Sequence, residues 1–215
     1  MNAQPLLAAN ELTSWRGETS VLDAVSLTAA ESDVVQVVGP NGSGKTTLLR
    51  TLAGLALPDE GEVLWRGKSI ERARAEYQSE LLYLGHKPGI SGALTARENL
   101  STFLSLRHST PNLAALDEAL NALGLAERLD LPCRWLSAGQ QRRVALARLL
   151  LEPATLWILD EPLNALDTHA IAWVVETIQQ QANRGGAVIF TTHQPMPFSD
   201  LEPLTVTLTD TAVLT

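Results

Sequence analysis

The chain has 215 residues, with 16 Lys+Arg against 24 Asp+Glu for a net charge of −8, and a single cysteine. That length suits one compact domain with a sizeable core and room for a small inserted lobe. The acidic balance excludes a body that grips nucleic acid by neutralising phosphates. One cysteine excludes an intrachain disulfide, and no run approaches the ~20 apolar residues needed to span a bilayer.

Met1-Asn2-Ala3-Gln4-Pro5 carries no basic stretch, so no signal peptide is expected. The following residues alternate as antiparallel strands do, with Asp23-Ala24-Val25-Ser26-Leu27 as one strand of a small sheet. Residues 34–38, polar only at Gln36, read as a buried strand. Directly after it comes Gly39-Pro40-Asn41-Gly42-Ser43-Gly44-Lys45-Thr46-Thr47. This is the spacing of a phosphate-binding loop between a strand and a helix. Glycines let consecutive backbone N–H groups curl around an anion. Lys45 then reaches the β- and γ-phosphates, the Thr46 hydroxyl can ligate Mg²⁺, and the helix starting near Gly44 points its positive end at the same charge. The chain is therefore expected to hold a nucleoside triphosphate.

Further strands are expected at 62–65, 81–84, 156–159, 187–191 and 204–208, and helical periodicity marks 45–54, 96–106, 113–123, 138–151 and 168–182. The stretch 85–155 holds only helical patterns and reads as a lobe inserted between core strands. Strands alternating with helices predict an α/β core with a mainly parallel sheet.

Leu136-Ser137-Ala138-Gly139-Gln140 opens one of these helices. A hydroxyl, bare backbone N–H groups and a helix dipole make a second anion site there, although Ser137 alone would also serve as a plain N-cap. Arg142, Arg143 and Arg148 follow at helical spacing and read as a solvated or pairing face. Cys133 reads as a small buried hydrophobe. Leu156-Trp157-Ile158-Leu159-Asp160-Glu161 is a hydrophobic strand ending in carboxylates. Placed beside the phosphate-loop strand, it would deliver Asp160 to a metal shell and Glu161 to an attacking water, whose proton it could accept.

These motifs, in this order, resemble the ATP-binding-cassette ATPases over nearly the whole chain. Residues 136–140 differ from that family's Leu-Ser-Gly-Gly-Gln signature only at Ala138. The resemblance implies a P-loop NTPase core with a small N-terminal antiparallel subdomain and a helical subdomain. It places the core at about 1–85 and 155–215 and the helical part at about 86–154. It further implies that 164–167 form the loop following the carboxylates, with Asp167 at the nucleotide interface. His193 would contact the γ-phosphate as a catalytic residue with Lys45 and Glu161. Trp15, eight residues before Asp23, would stack on adenine. His86 stands where the family carries a Mg²⁺-sensing glutamine. A shorter imidazole can act there through a water.

Tyr83–Ile90, Leu94–Leu100, the 136–149 run, 156–162 and Thr191-Thr192-His193-Gln194 together resemble one branch, the ATP-binding subunits of bacterial cytochrome c maturation, often called haem exporter ATPases. That implies a head-to-tail homodimer with two sandwiched Mg²⁺-ATP molecules, each phosphate loop facing the partner's Ser137, Gly139 and Gln140. It also implies integral membrane subunits that dock around 86–106, with Ile90, Leu94, Leu100, Phe103 and Leu104 as apolar area that could equally be lobe core. A haem chaperone would be an indirect partner, and the location peripheral, on the cytoplasmic side of the inner membrane. The residues themselves carry no haem chemistry: there is no Cys-x-x-Cys-His run, and His86, His108, His169 and His193 have no axial-ligand context. The alternatives are the ATPase subunit of a transporter for another substrate, or a soluble cassette protein acting on ribosomes or DNA. The latter would need a second cassette, a coiled-coil insertion or a basic arm.

Overall fold

The computed structural model describes residues 4–107 and 110–209; Met1, Asn2, Ala3 and His108 fall outside them. In chain order the elements are β1 (Leu7–Arg16), β2 (Thr19–Ala29), β3 (Val34–Val38), α1 (Lys45–Leu52), β4 (Glu60–Trp65), β5 (Lys68–Ser69), α2 (Arg74–Glu80), β6 (Leu81–Leu84), α3 (Ala96–Leu106), α4 (Leu113–Ala122), α5 (Ala138–Leu146), α6 (Arg148–Leu151), β7 (Leu156–Asp160), α7 (Thr168–Asn183), β8 (Ala187–Thr191) and β9 (Leu204–Thr207). Short 3₁₀ turns at Ala126–Arg128 and Cys133–Trp135 complete the helical stretch.

Two sheets result. An antiparallel sheet has the order β2-β1-β4-β5, and a parallel sheet has the order β6-β7-β8-β3-β9. The central strands β7 and β8 of the parallel sheet are buried on both faces, whereas the edge strand β9 is mostly exposed, and the period-2 geometry of strands sorts the side chains accordingly. Leu82, Leu84, Trp157, Leu159, Val188 and Phe190 pack into one apolar cluster with α3–α5 and α7. Their neighbours Leu81, Leu156, Ile158, Ala187 and Ile189 pack into a second cluster with α1 and the antiparallel sheet. The apolar runs of β7 and β8 are thus continuous rather than alternating because no face meets water, and every residue of both strands is buried.

Local chemistry sets the helix starts. Thr95 and Glu98 form a capping box on α3, Asn112 caps α4, and Asp167 caps α7. The helical reading of 138–151 is interrupted at Ala147, where α5 ends and α6 begins. α2 and β5 lacked a sequence signal, being short and mostly polar.

One expectation is corrected. β7 does not lie beside the phosphate-loop strand β3; β8 stands between them, in register with both. Strand order depends on how crossover helices pack, and no local pattern encodes it. The consequence is chemical, because the intervening strand brings Thr191 directly opposite Asp160.

Candidate functional site

The loop after β3 is shaped by backbone sterics. Gly44 has φ +89, and a Cβ there would run into the Val21 carbonyl oxygen of β2. Gly42 has φ +91 and faces open space. α1 begins at Lys45 with no side-chain cap on its first N–H groups, which leaves them for an anion. Lys45 Nζ donates to the Gly39 and Pro40 carbonyls at 2.7 and 2.8 Å, which holds the ammonium over the loop. Ser43 Oγ is buried with no hydrogen-bond partner among the described residues. An orphaned hydroxyl in a glycine cradle fits a phosphate oxygen.

At the end of β7, Asp160 is 1% exposed and its two carboxylate oxygens are divided. Oδ2 accepts from Thr46 Oγ1 at 3.0 Å, and Oδ1 accepts from Thr191 Oγ1 at 3.0 Å. A hydroxyl and a carboxylate this close are hard oxygen donors suited to Mg²⁺, which uses one or two protein groups plus substrate phosphates.

Glu161 follows with φ +51, a left-handed backbone that a residue with a Cβ rarely adopts. Its N–H donates to Thr191 Oγ1 at 3.0 Å and its carbonyl accepts from Arg142 Nη2 at 2.8 Å. The Glu161 side chain meets His193, whose backbone N–H donates to Oε2 at 3.3 Å and whose Nε2 lies 3.4 Å from Oε1.

A cavity of about 940 Å³ gathers these parts. Asn41, Gly42, Gly44, Lys45, Thr46, Thr47, His86, Asp160, Glu161 and His193, all expected from sequence, line it. Arg16 and Arg50 line it too and were missed, and so does Asn164, the first residue of the 164–167 loop. Arg16, Arg50 and Lys45 outnumber Asp160 and Glu161 on the lining, so the cavity is more positive than the acidic chain around it, as a triphosphate needs. Gly39, Pro40 and Ser43 sit in the same loop without lining the cavity.

Trp15 is not on the lining. It is 44% exposed on β1, and its N–H donates to Asp59 Oδ2 at 2.7 Å. Its neighbour Arg16 lines the cavity, at the end of β1 where the pairing with β2 is irregular.

Ser137, Gly139, Gln140 and Asp167 are likewise absent from the lining. Ser137 Oγ accepts from Gln140 N–H at 3.2 Å, and Gln140 Oε1 accepts from Ser137 N–H at 2.9 Å. Capping uses only acceptor capacity of the hydroxyl, so its O–H can still donate to an anion. Gly139 is required within the chain, since a Cβ there would strike the Ala165 carbonyl oxygen. Asp167 Oδ2 accepts from Arg143 Nη2, and its Oδ1 accepts from Ala170 N–H at 2.9 Å. That backbone bond and Arg143 hold its carboxyl below the usual range.

The arginine cluster is not a solvated face. Arg142 is 3% and Arg148 is 9% exposed. Arg148 donates to the Gly89 carbonyl at 2.7 Å and stacks on Phe103. Fork-shaped donors satisfy backbone carbonyls deep in the fold, and helical spacing alone could not reveal this. Two of the apolar residues expected at 86–106 as a possible partner surface, Leu100 and Leu104, belong to the core; Ile90 and Phe103 remain partly exposed. Cys133 is buried as expected and accepts from Asn99 Nδ2 at 3.4 Å, and burial pushes its thiol up.

The family model described as ABC transporter matches residues 22–164. A protein of Yersinia pestis bv. Antiqua (strain Nepal516), described as cytochrome c biogenesis ATP-binding export protein CcmA, is 50% identical over 191 residues, 89% of this chain and 87% of that protein. The Escherichia coli (strain K12) protein of the same description is 46% identical over 206 residues, 96% of this chain and 98% of that one. Among solved structures, an ATP-binding subunit of an ABC transporter matches with a TM-score of 0.77 and 26% identity, over 87% of this chain and 79% of that chain. A dimeric ATP-binding cassette bound to ADP and phosphate shares the fold, with a TM-score of 0.82 over 97% of both chains at 24% identity.

Proposed function

The chain belongs to the ABC transporter family of ATP-hydrolysing cassettes, and on that premise we propose that it powers a membrane complex of cytochrome c biogenesis, driving haem export or the release of a haem-loaded chaperone. The observation that carries the ATPase reading is the Thr46–Asp160–Thr191–Glu161 chain of hydrogen bonds at the mouth of the phosphate loop. The cargo reading is supported by two relatives, at 50% and 46% identity, that are described as cytochrome c biogenesis export proteins.

The residues divide the work. Backbone N–H groups of the glycine loop that ends at Thr47 and the Lys45 ammonium bind the triphosphate and hold the γ-phosphoryl in place. Thr46 and Asp160 would hold Mg²⁺, which supplies charge neutralisation at the phosphate oxygens. Glu161 orients the attacking water and takes its proton. His193, beside Glu161, donates to the γ-phosphate as charge shifts toward the leaving group. His86 acts in the same cavity through water rather than as a direct metal ligand. Trp15 and Arg16 flank the base end of the nucleotide.

Ser137, Gly139, Gln140 and Asp167 serve the nucleotide of a second copy. A helix N-terminus with an available hydroxyl donor is a γ-phosphate site, and it lies on the helical lobe, for which we take 86–154, while the core takes 1–85 and 155–215. Two copies arranged head to tail would each complete the other's site. Among the described residues no helix is long and apolar enough to cross a membrane. From the likeness to relatives described as cytochrome c biogenesis export proteins, we assign a peripheral position on the cytoplasmic side of the inner membrane, against integral membrane subunits that meet the surface near His86, Ile90 and Phe103.

Deletion of the chain in its source organism tests the cargo. The expected result is loss of c-type cytochromes with other haem proteins retained. Retention of c-type cytochromes would favour another cargo.

A further inference from the structure

We propose that Arg142 is a positioning residue for ATP hydrolysis, fastening the strand end that bears Glu161 to the helix that Ser137 opens. Arg142 lies in α5 and its guanidinium is spent wholly on backbone carbonyls. Nη2 donates to Asp160 O at 2.9 Å and Glu161 O at 2.8 Å, Nε to Pro162 O at 3.3 Å, and Nη1 to Gly85 O at 2.8 Å, with His86 O at 3.5 Å. These carbonyls close the C-terminal ends of β6 and β7, where His86, Asp160 and Glu161 enter the cavity.

A buried cation is costly, and burial does push Arg142 below its ordinary value while Asp160 and Glu161 oppose that shift. A planar fork that meets several carbonyls at once offsets much of the cost, and a lysine ammonium cannot reproduce its geometry. The restraint falls on a strained point. Glu161 sits at φ +51, gripped on its N–H by Thr191 and on its carbonyl by Arg142. Without one grip the backbone can relax toward ordinary φ and swing the carboxylate away from the water. The same helix carries Gly139 against Ala165 and Arg143 against Asp167. Seating α5 on a partner's γ-phosphate and holding Glu161 in its catalytic pose are therefore one mechanical event.

The inference rests on the assignment of Glu161 above. The full chain, Arg142→Lys, Glu161→Gln and the double variant are compared for ATP affinity, KM, kcat and melting temperature. For Arg142→Lys we expect ATP affinity and KM within about threefold of the parent and kcat down by about tenfold or more. Because Arg142 acts through Glu161, the double variant should be no slower than Glu161→Gln alone. Should the lysine variant fail to fold, Arg142→Gln, which leaves no charge to bury, carries the same expectation. An unchanged kcat, a loss shared equally by ATP affinity, or a further drop in the double variant overturns the role of Arg142 while leaving the ATPase reading intact. A parental rate in Glu161→Gln instead overturns the assignment of Glu161, and this proposal with it.

Discussion

Thr191 holds two neighbours with one hydroxyl. It donates to Asp160 Oδ1 and accepts from Glu161 N–H, and it is fully buried. Thr191→Val keeps the shape and removes the hydroxyl, leaving a buried carboxylate oxygen and a buried N–H without their partner. The expected cost is about 1–3 kcal/mol of stability together with a fall in kcat, whereas Thr191→Ser should retain most of both. Thermal melting and steady-state hydrolysis of the two variants check this. At this scale the residues that the structure gathers into the candidate site were legible wherever they were contiguous. Lys45 and Thr46 stand in one run and Asp160 and Glu161 in another, each with chemistry that its neighbours make specific. Thr191, Arg142 and Arg16 were not legible, because a threonine at a strand end or an arginine on a helix acquires its role only from residues distant in sequence. Trp15 lies beside the cavity rather than on its lining, and which of two adjacent side chains reaches a cavity is not written in a strand's sequence.

Among the elements, the join between β3 and α1 is the most constrained. Gly44 must adopt φ +89 with no Cβ, because the β2 backbone at Val21 lies against it. Gly44→Ala therefore combines backbone strain with a steric conflict, and should cost on the order of 2 kcal/mol or more. Nucleotide affinity should fall in parallel; denaturant titration and calorimetry with ATP measure both. A variant of parental stability would mean that β2 yields easily. Helix and strand positions followed closely from periodicity, since α3 and α7 have clear caps and β7 and β8 are unbroken apolar runs. Their arrangement did not. The place of β8 between β7 and β3 arises from packing of α1 and α7 on opposite faces, and a one-dimensional pattern contains no trace of it.

Across the whole molecule, the parts of the candidate nucleotide site fall into two sets. Lys45, Thr46, Asp160, Glu161 and His193 share one cavity, while Ser137 and Gly139 begin a helix outside its lining. The resemblance to the ATP-binding-cassette ATPases implied that one chain does not close both sets on one triphosphate, because the motifs belong to the α/β core and the helical lobe respectively. The acidic surface, at a net charge of −8, opposes association of two copies at long range. On the proposed head-to-tail arrangement, short-range attraction comes from the nucleotide, its γ-phosphate bridging the phosphate loop of one copy and the Ser137 hydroxyl of the other. Dimerisation should then depend on an intact triphosphate and reverse after hydrolysis. Glu161→Gln separates binding from turnover. Its hydrolysis should drop by about 10²–10⁴-fold, which leaves the closed state long-lived. Light scattering of this variant with and without Mg-ATP is the most direct test. A nucleotide-dependent dimer retaining two ATP molecules is the predicted result. A chain that stays monomeric at saturating Mg-ATP would contradict it.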